Sequence, residues 1–218
     1  MKQKIFSSIF SIISILTFAQ INTELFKKNV TENPDKNFYP LMEKFRTNPS
    51  ELNQEELNQL YYGSKFIKNE YSLGDYNKDY ETIWKKASKK LSKGKAQKIL
   101  TEAEKNYQKN PLNRYVLKEM KNLYKSVGDE IKLEIVNHQI ELTEKTVEKS
   151  GDGKSENNPI CVIYPADVLV QIDKFSYVDR NKFEQKSKQL EDGSILTMYK
   201  MGDEFYYVKL VGGYFFKE

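Results

Sequence analysis

Cys161 and His138 are the one thiol and the one imidazole of the chain, so a thiol–imidazole nucleophile would have to use both. Cys161 lies within the apolar run Ile160–Tyr164, a setting that keeps a thiol protonated and inert. His138 shares an apolar helical face with Ile131 and Leu142, and that spacing predicts a partly buried, hydrogen-bonded core histidine. Two such residues also fall short of the four Cys or His ligands of a structural zinc site, and H-E-x-x-H spacing is absent. No metal and no cofactor are expected.

Three further patterns imitate known chemistry. Gly151-Asp152-Gly153-Lys154-Ser155 has the ending of a phosphate-binding loop. The glycine needed earlier in that loop is replaced by Glu148, whose charge repels phosphate, and a helical pattern precedes it where a strand should. The stretch reads instead as a glycine-rich helix-to-strand connection. Asp152 and Glu156 offer hard oxygen ligands without the carboxylate spacing of a calcium loop. Ser92-x-x-Lys95, Lys149-Ser150-Gly151 and Ser155-x-Asn157 mimic the boxes of penicillin-recognising enzymes. The last two come in reversed order and nearly touch, so they cannot converge from separate elements. Carboxylates are plentiful, among them Asp75 with Asp79, Glu102 with Glu104, Asp152, Asp167 and Asp173. Glycoside hydrolysis needs two of them about 5–9.5 Å apart across a cleft, which spacing alone cannot supply.

The charge pattern is more pointed. Lys85, Lys86, Lys89, Lys90, Lys93, Lys95 and Lys98 follow one another with no acid between Glu81 and Glu102. Trp84, Ala87 and Leu91 take the opposite helical face. A basic amphipathic helix of this kind meets an anionic surface, whether lipid headgroup, acidic glycan or acidic protein segment, or else forms a solvated outer face. The aromatics Tyr61, Tyr62, Phe66, Tyr71, Tyr76, Tyr80 and Trp84 divide between core packing and the walls of a groove that could grip an extended peptide. The candidate partner-binding residues are therefore Tyr61, Tyr62, Tyr71, Trp84, Lys86, Lys89, Lys90 and Lys93.

The elements that must position these groups are legible from punctuation and periodicity. Asn33-Pro34, Asn48-Pro49, Asn110-Pro111 and Asn158-Pro159 each mark a boundary, because the residue before proline is driven out of helix. Leu41, Met42 and Phe45 make a short helix. Asn53-Gln54-Glu55-Glu56 reads as a capping box for a helix with Leu57, Leu60 and Tyr61 on one face. Tyr76 to Leu91 follow helical spacing until Lys93-Gly94 closes the run. Ala96 to Tyr107 form the next helix and Tyr115 to Tyr124 another, stopped at Gly128. Asp129 caps a long last helix bearing Ile131, Ile135, Val136, Ile140, Leu142 and Val147. Short links favour antiparallel neighbours, and Ala103, Tyr107, Tyr124, Gly128 and Leu133 sit at offsets resembling a degenerate tetratricopeptide (TPR-like) array. Past residue 150 the character changes. Ile160–Tyr164 suits a buried strand, and Asp192-Gly193, Gly202-Asp203 and Gly212-Gly213 are turn signals between Phe183–Glu191, Ser194–Met201, Glu204–Val211 and Tyr214–Lys217, which predicts an antiparallel β-meander.

The first nineteen residues supply an address. Lys2 and Lys4 precede the apolar run Ile5–Phe18, and Thr17-Phe18-Ala19 places small residues where a signal peptidase reads. The run is shorter than the roughly 18 residues of a membrane anchor, and the expectation is cleavage before Gln20. With 15 Tyr and 12 Phe, 39% hydrophobic residues and a net charge of +4, the chain can build a real core, and it carries too little charge to imply nucleic acid as a partner.

Asn37-Phe38-Tyr39-Pro40-Leu41-Met42, Leu60-Tyr61-Tyr62-Gly63 and the Ser150–Ser155 loop followed by a strand resemble the family catalogued as domain of unknown function 4919, exported envelope proteins of Gram-negative bacteria. The resemblance runs from about Thr31 to the C-terminal strands. It departs after Tyr164, where Pro165-Ala166-Asp167 stands in place of a His-Glu-Tyr-like stretch. It implies a helical N-terminal part and a β-containing C-terminal part, with no assigned activity to carry over.

The expected organisation is a signal peptide over 1–19, a TPR-like helical-hairpin array over 20–149 and a β-rich region over 150–218, packed as one α+β unit. The expected function is a non-enzymatic binding or scaffold protein of the bacterial envelope, periplasmic, secreted or associated with the outer membrane. Its partner would be a protein or peptide of acidic character. The alternatives are association with an anionic lipid or glycan surface through the basic helix, without spanning the membrane, and a small carboxylate-dependent hydrolase.

Overall fold

A computed structural model of the chain describes residues 21–67, 83, 85–87, 89, 91–165, 167–168, 170–171 and 184–213. The expected signal segment, Tyr71, Trp84, Lys90, Asp75, Asp79, Asp173 and the expected strand Tyr214–Lys217 lie outside the described residues.

The fold is mixed α+β, helices first and strands last. Asn22 and Asn33 cap α1 (Thr23–Glu32) and α2 (Pro34–Asn37), each side chain accepting a hydrogen bond from a first-turn N–H. Next come α3 (Tyr39–Thr47) and α4 (Gln54–Gly63). The latter opens with the reciprocal Asn53–Glu56 capping box that the sequence predicts. Three longer helices follow: α5 (Lys93–Lys109), α6 (Arg114–Val127) and α7 (Glu130–Glu148). Gly128 ends α6 at φ +81°, a left-handed conformation that glycine adopts without steric penalty, and Asp129 then caps α7.

Helix α7 is the axis of the helical layer. It packs against α3, α4 and α6 and touches the first strand, while α5 covers α6 and α1 lies on α4. The close approach of α1 and α4 depends on Gly63, where a Cβ would stand 2.7 Å from Val30 Cγ1. The helices range from 4 residues in α2 to 19 in α7, so no repeat unit of common length is evident among them.

The sheet contains β1 (Ile160–Val162), β2 (Glu184–Gln189), β3 (Ile195–Met201) and β4 (Glu204–Leu210) in the order β1-β4-β3-β2. Strands β2 and β3, and β3 and β4, pair antiparallel, but β1 runs parallel to β4, so the sheet is mixed and not the purely antiparallel one expected. The reason is that β1 arrives directly from α7 through the glycine loop and joins the far edge of β4 instead of extending a hairpin. Its three residues are all buried, as a strand covered on both faces requires. The buried hydrophobic side chains of helices and sheet form one cluster, from Phe26 and Tyr62 to Val208 and Leu210.

Two local expectations fail. Lys93-Gly94 does not close a helix but opens α5; glycine is tolerated there because first-turn amides have no intrahelical partner to lose. His138 is exposed and Ile131 is 76% exposed, while the buried stripe of α7 is Val136, Gln139, Thr143, Thr146 and Val147. Packing on two sides selects that stripe, and its threonines become compatible with burial by donating to the carbonyls of Gln139 and Leu142.

The glycine loop is a tight internal turn. Gly153 N–H donates to the Asn158 carbonyl and Lys154 N–H to Asp152 Oδ1, so these amides are not turned outward to cradle phosphate. A Cβ on Gly151 would stand 2.2 Å from the Pro159 carbonyl oxygen, which no flexible side chain can relieve. Gly151→Ala is therefore expected to cost at least about 1–3 kcal/mol in urea unfolding. Gly94→Ala, whose Cβ would meet nothing within 4 Å, should leave stability unchanged or raise it by up to about 1 kcal/mol.

Candidate functional site

The helical layer contains an open cleft of about 530 Å3 walled by α3, α5, α6 and α7. Its floor is aromatic and aliphatic, with Tyr107, Tyr124, Ile135 and Val136; its rim carries Glu43, Arg46, Glu104 and Lys132. Lys132 Nζ lies 2.7 Å from Glu104 Oε1 and 5.3 Å from the centre of the Tyr124 ring, and the Tyr124 hydroxyl donates to the same carboxylate oxygen at 3.2 Å. Burial, reinforced by the Glu104 charge, holds the Tyr124 hydroxyl protonated far above the usual phenol range. On the opposite wall the Arg46 guanidinium donates to the Gln108 carbonyl at 2.8 Å and ties α3 to α5.

Beneath the floor, Gln139 is fully buried and its amide nitrogen donates twice, to the Phe45 carbonyl at 2.6 Å and to the Tyr107 hydroxyl at 2.7 Å. One side chain of α7 thus fixes the facing surfaces of α3 and α5. Burial raises the Tyr107 hydroxyl, so it stays a neutral acceptor for that amide. The cleft offers both charges at its mouth and apolar area at its base, a combination suited to gripping an extended polar chain by its side chains.

The sequence candidates fall elsewhere. Tyr61 and Tyr62 are 3% and 0% exposed and belong to the core, where helical spacing and aromatic packing could not be told apart in the sequence. Tyr62 lies edge-on to Tyr61 at 5.0 Å and parallel to Phe26 at 6.3 Å, and its hydroxyl sits 3.3 Å from the Thr146 carbonyl and 3.2 Å from that of Cys161. Lys86, Lys89 and Lys93 are exposed. Cys161 is buried, which pushes its thiol up to about 12, and exposed His138 cannot pair with it. Ser150 is buried, accepting from the Cys161 N–H and donating to the Val147 carbonyl, which consumes the hydroxyl of that serine box. Glu102 is exposed beside Lys105, whereas Glu104 lines the cleft. The cleft itself is not legible in the sequence, although Glu104, Tyr107 and Tyr124 all stand on helices that the periodicity predicts.

Two buried carboxyls stand outside the cleft. Asp167, in the helical segment after β1, faces the Tyr61 hydroxyl at 3.5 Å and lines a cavity of about 20 Å3 beside Arg114 and Glu144, themselves paired at 2.9 Å. Burial pushes Asp167 up to about 6, partly offset by the nearby Arg114 charge. Glu119 on α6 is 4% exposed, its Oε1 has no hydrogen-bond partner among the described residues, and burial pushes it up to about 8.

A two-layer α+β protein with an open cleft in its helical layer is the class that this geometry defines. The family model described as Domain of unknown function (DUF4919) matches residues 24–193, and the chain belongs to that family. Comparison with curated proteins and with solved structures finds no match.

The raised carboxyls set a pH dependence. A carboxyl whose folded value exceeds its unfolded one binds a proton more tightly when folded, so stability is greatest below the ordinary range and falls as pH rises towards the folded value. Between about pH 5 and 8 the native chain should lose stability relative to Glu119→Gln by up to about 1.4 kcal/mol per pH unit, levelling above about 8. Urea unfolding across that range checks this; parallel profiles for the two proteins would contradict it.

Proposed function

We propose that the chain is a non-enzymatic peptide- or protein-binding scaffold of the bacterial envelope, exported by its N-terminal segment. The observation that carries this reading is the cleft. Its volume falls within the roughly 300–1,000 Å3 of ligand pockets, its aromatic floor supplies contact area at low entropic cost, and its rim can pair with either charge. The two hairpins α5–α6 and α6–α7 serve as the TPR-like part of the array, presenting side chains from successive helices to an extended segment.

A carboxylate-dependent hydrolase is the rival, and the shared presence of Glu43 and Glu104 in the cleft is its support. Against it, Glu104 is already engaged by Lys132 and by the Tyr124 hydroxyl, which suits a positioning role better than proton transfer.

Selection of random peptides on the mature chain, followed by calorimetry of the enriched sequences, tests the proposal. Tyr124→Ala and Lys132→Glu should each weaken binding by about tenfold or more. Peptides that bind both variants as well as the native chain would place the site elsewhere. Cleavage of the peptides, lost in Glu43→Gln, would establish the hydrolase instead.

A further inference from the structure

The lysine-rich stretch makes a surface separate from the cleft. Lys86, Lys89, Lys93, Lys95 and Lys98 are all exposed, and none of them forms an ion pair among the described residues. Several lysines elsewhere are matched to acids, among them Lys44 to Glu56, Lys105 to Glu102, Lys145 to Glu141 and Lys188 to Glu156. These five lysines lie in or just before the start of α5, the positive end of a 17-residue helix with no acidic residue in its first turn. Ser92, its N-cap, makes no side-chain capping bond, whereas α4, α6 and α7 are capped by Asn53, Asn113 and Asp129. Like charge is thus concentrated where the helix already carries a positive pole, an arrangement that costs stability unless an anionic partner covers it.

The shape of the patch selects among such partners. Helical geometry puts Lys98 opposite the buried stripe of Ala96, Leu100, Ala103 and Tyr107 and Lys95 on its flank, so these two charges stand on the outer, convex side of α5. Neither described cavity includes any of the five lysines, and a convex face offers no groove for a peptide. Among the described apolar residues of this stretch, Ile83 and Ala87 are buried in the core and Leu91 is half-buried against it, so none of these three stands free to insert into hydrocarbon. Lysine, a compact point charge, reads charge density and not the planar geometry of a carboxylate.

We propose that this lysine face docks the protein on an anionic lipid surface by electrostatic contact alone, without insertion. Several lysines close to a layer of headgroup charge bind it additively, and the field of that layer relieves the repulsion at the start of α5. Vesicles spread charge over a plane, matching a convex patch that touches them at several points.

Co-sedimentation with vesicles of equimolar phosphatidylcholine and phosphatidylglycerol tests this on the mature chain. The native protein should bind these vesicles at low salt, be released at high salt, and ignore vesicles of phosphatidylcholine alone. Lys89→Gln/Lys95→Gln/Lys98→Gln should lower partitioning roughly a hundredfold. Lys105→Gln/Lys145→Gln/Lys188→Gln removes the same formal charge from paired sites and should change partitioning less than about threefold. Bound vesicles should also slow amide exchange in the first turn of α5. Equal loss in both triple variants would assign binding to net charge and overturn the proposal. It would also be overturned by absence of vesicle binding, or by preference for a polyglutamate peptide over the vesicles.

Discussion

The arrangement of the helical layer depends on one buried amide. Gln139 has no contact with solvent, yet its nitrogen donates both hydrogens, one to the backbone of α3 and one to the Tyr107 hydroxyl of α5. A buried donor left without a partner costs about 1–3 kcal/mol. The amide therefore confines α3 and α5 to positions that satisfy it, and the cleft is the space left above. Apolar packing could bring these helices together at several offsets; the paired hydrogen bonds accept few of them.

A second junction holds that layer to the sheet. Tyr62 projects from α4 between Phe26 and Tyr61, and its hydroxyl reaches carbonyls of both α7 and β1. The same junction contains the glycine loop, where Ser150 links the end of α7 to the Cys161 amide. Helices and strands thus share polar contacts as well as a single hydrophobic cluster, and the cleft is built on a support that extends into the sheet. Glu119 and Asp167 lie away from the cleft and burden this support at neutral and alkaline pH without contributing to its walls.

Much of the fold is legible in the sequence because local chemistry dictates it. Asn53 and Glu56 specify a capping box, Gly128 and Asp129 specify a turn between helices, and the Asp192-Gly193 and Gly202-Asp203 pairs separate three real strands. What was not legible is set by partners distant in sequence. Tyr61 and Tyr62 have the composition of a groove and the burial of a core because α1, α7 and β1 close over them. Gln139, polar and unremarked on a helical face, becomes the central buried residue only when Phe45 and Tyr107 are brought to it. The parallel pairing of β1 with β4 leaves no local trace, since it follows from where the chain returns after α7. The cleft belongs to the same category, four helices contributing residues whose sequence positions span Glu43 to Val136.

The dependence of the cleft on Gln139 can be measured by a double-mutant cycle of Gln139→Met and Tyr107→Phe in urea unfolding. If the bond between these side chains holds α5 against α7, the two substitutions are coupled by about 1 kcal/mol or more, the double variant losing less than the sum of the single ones. Losses that add to within about 0.3–0.5 kcal/mol would show that the two residues act independently, and that packing alone sets the walls of the cleft.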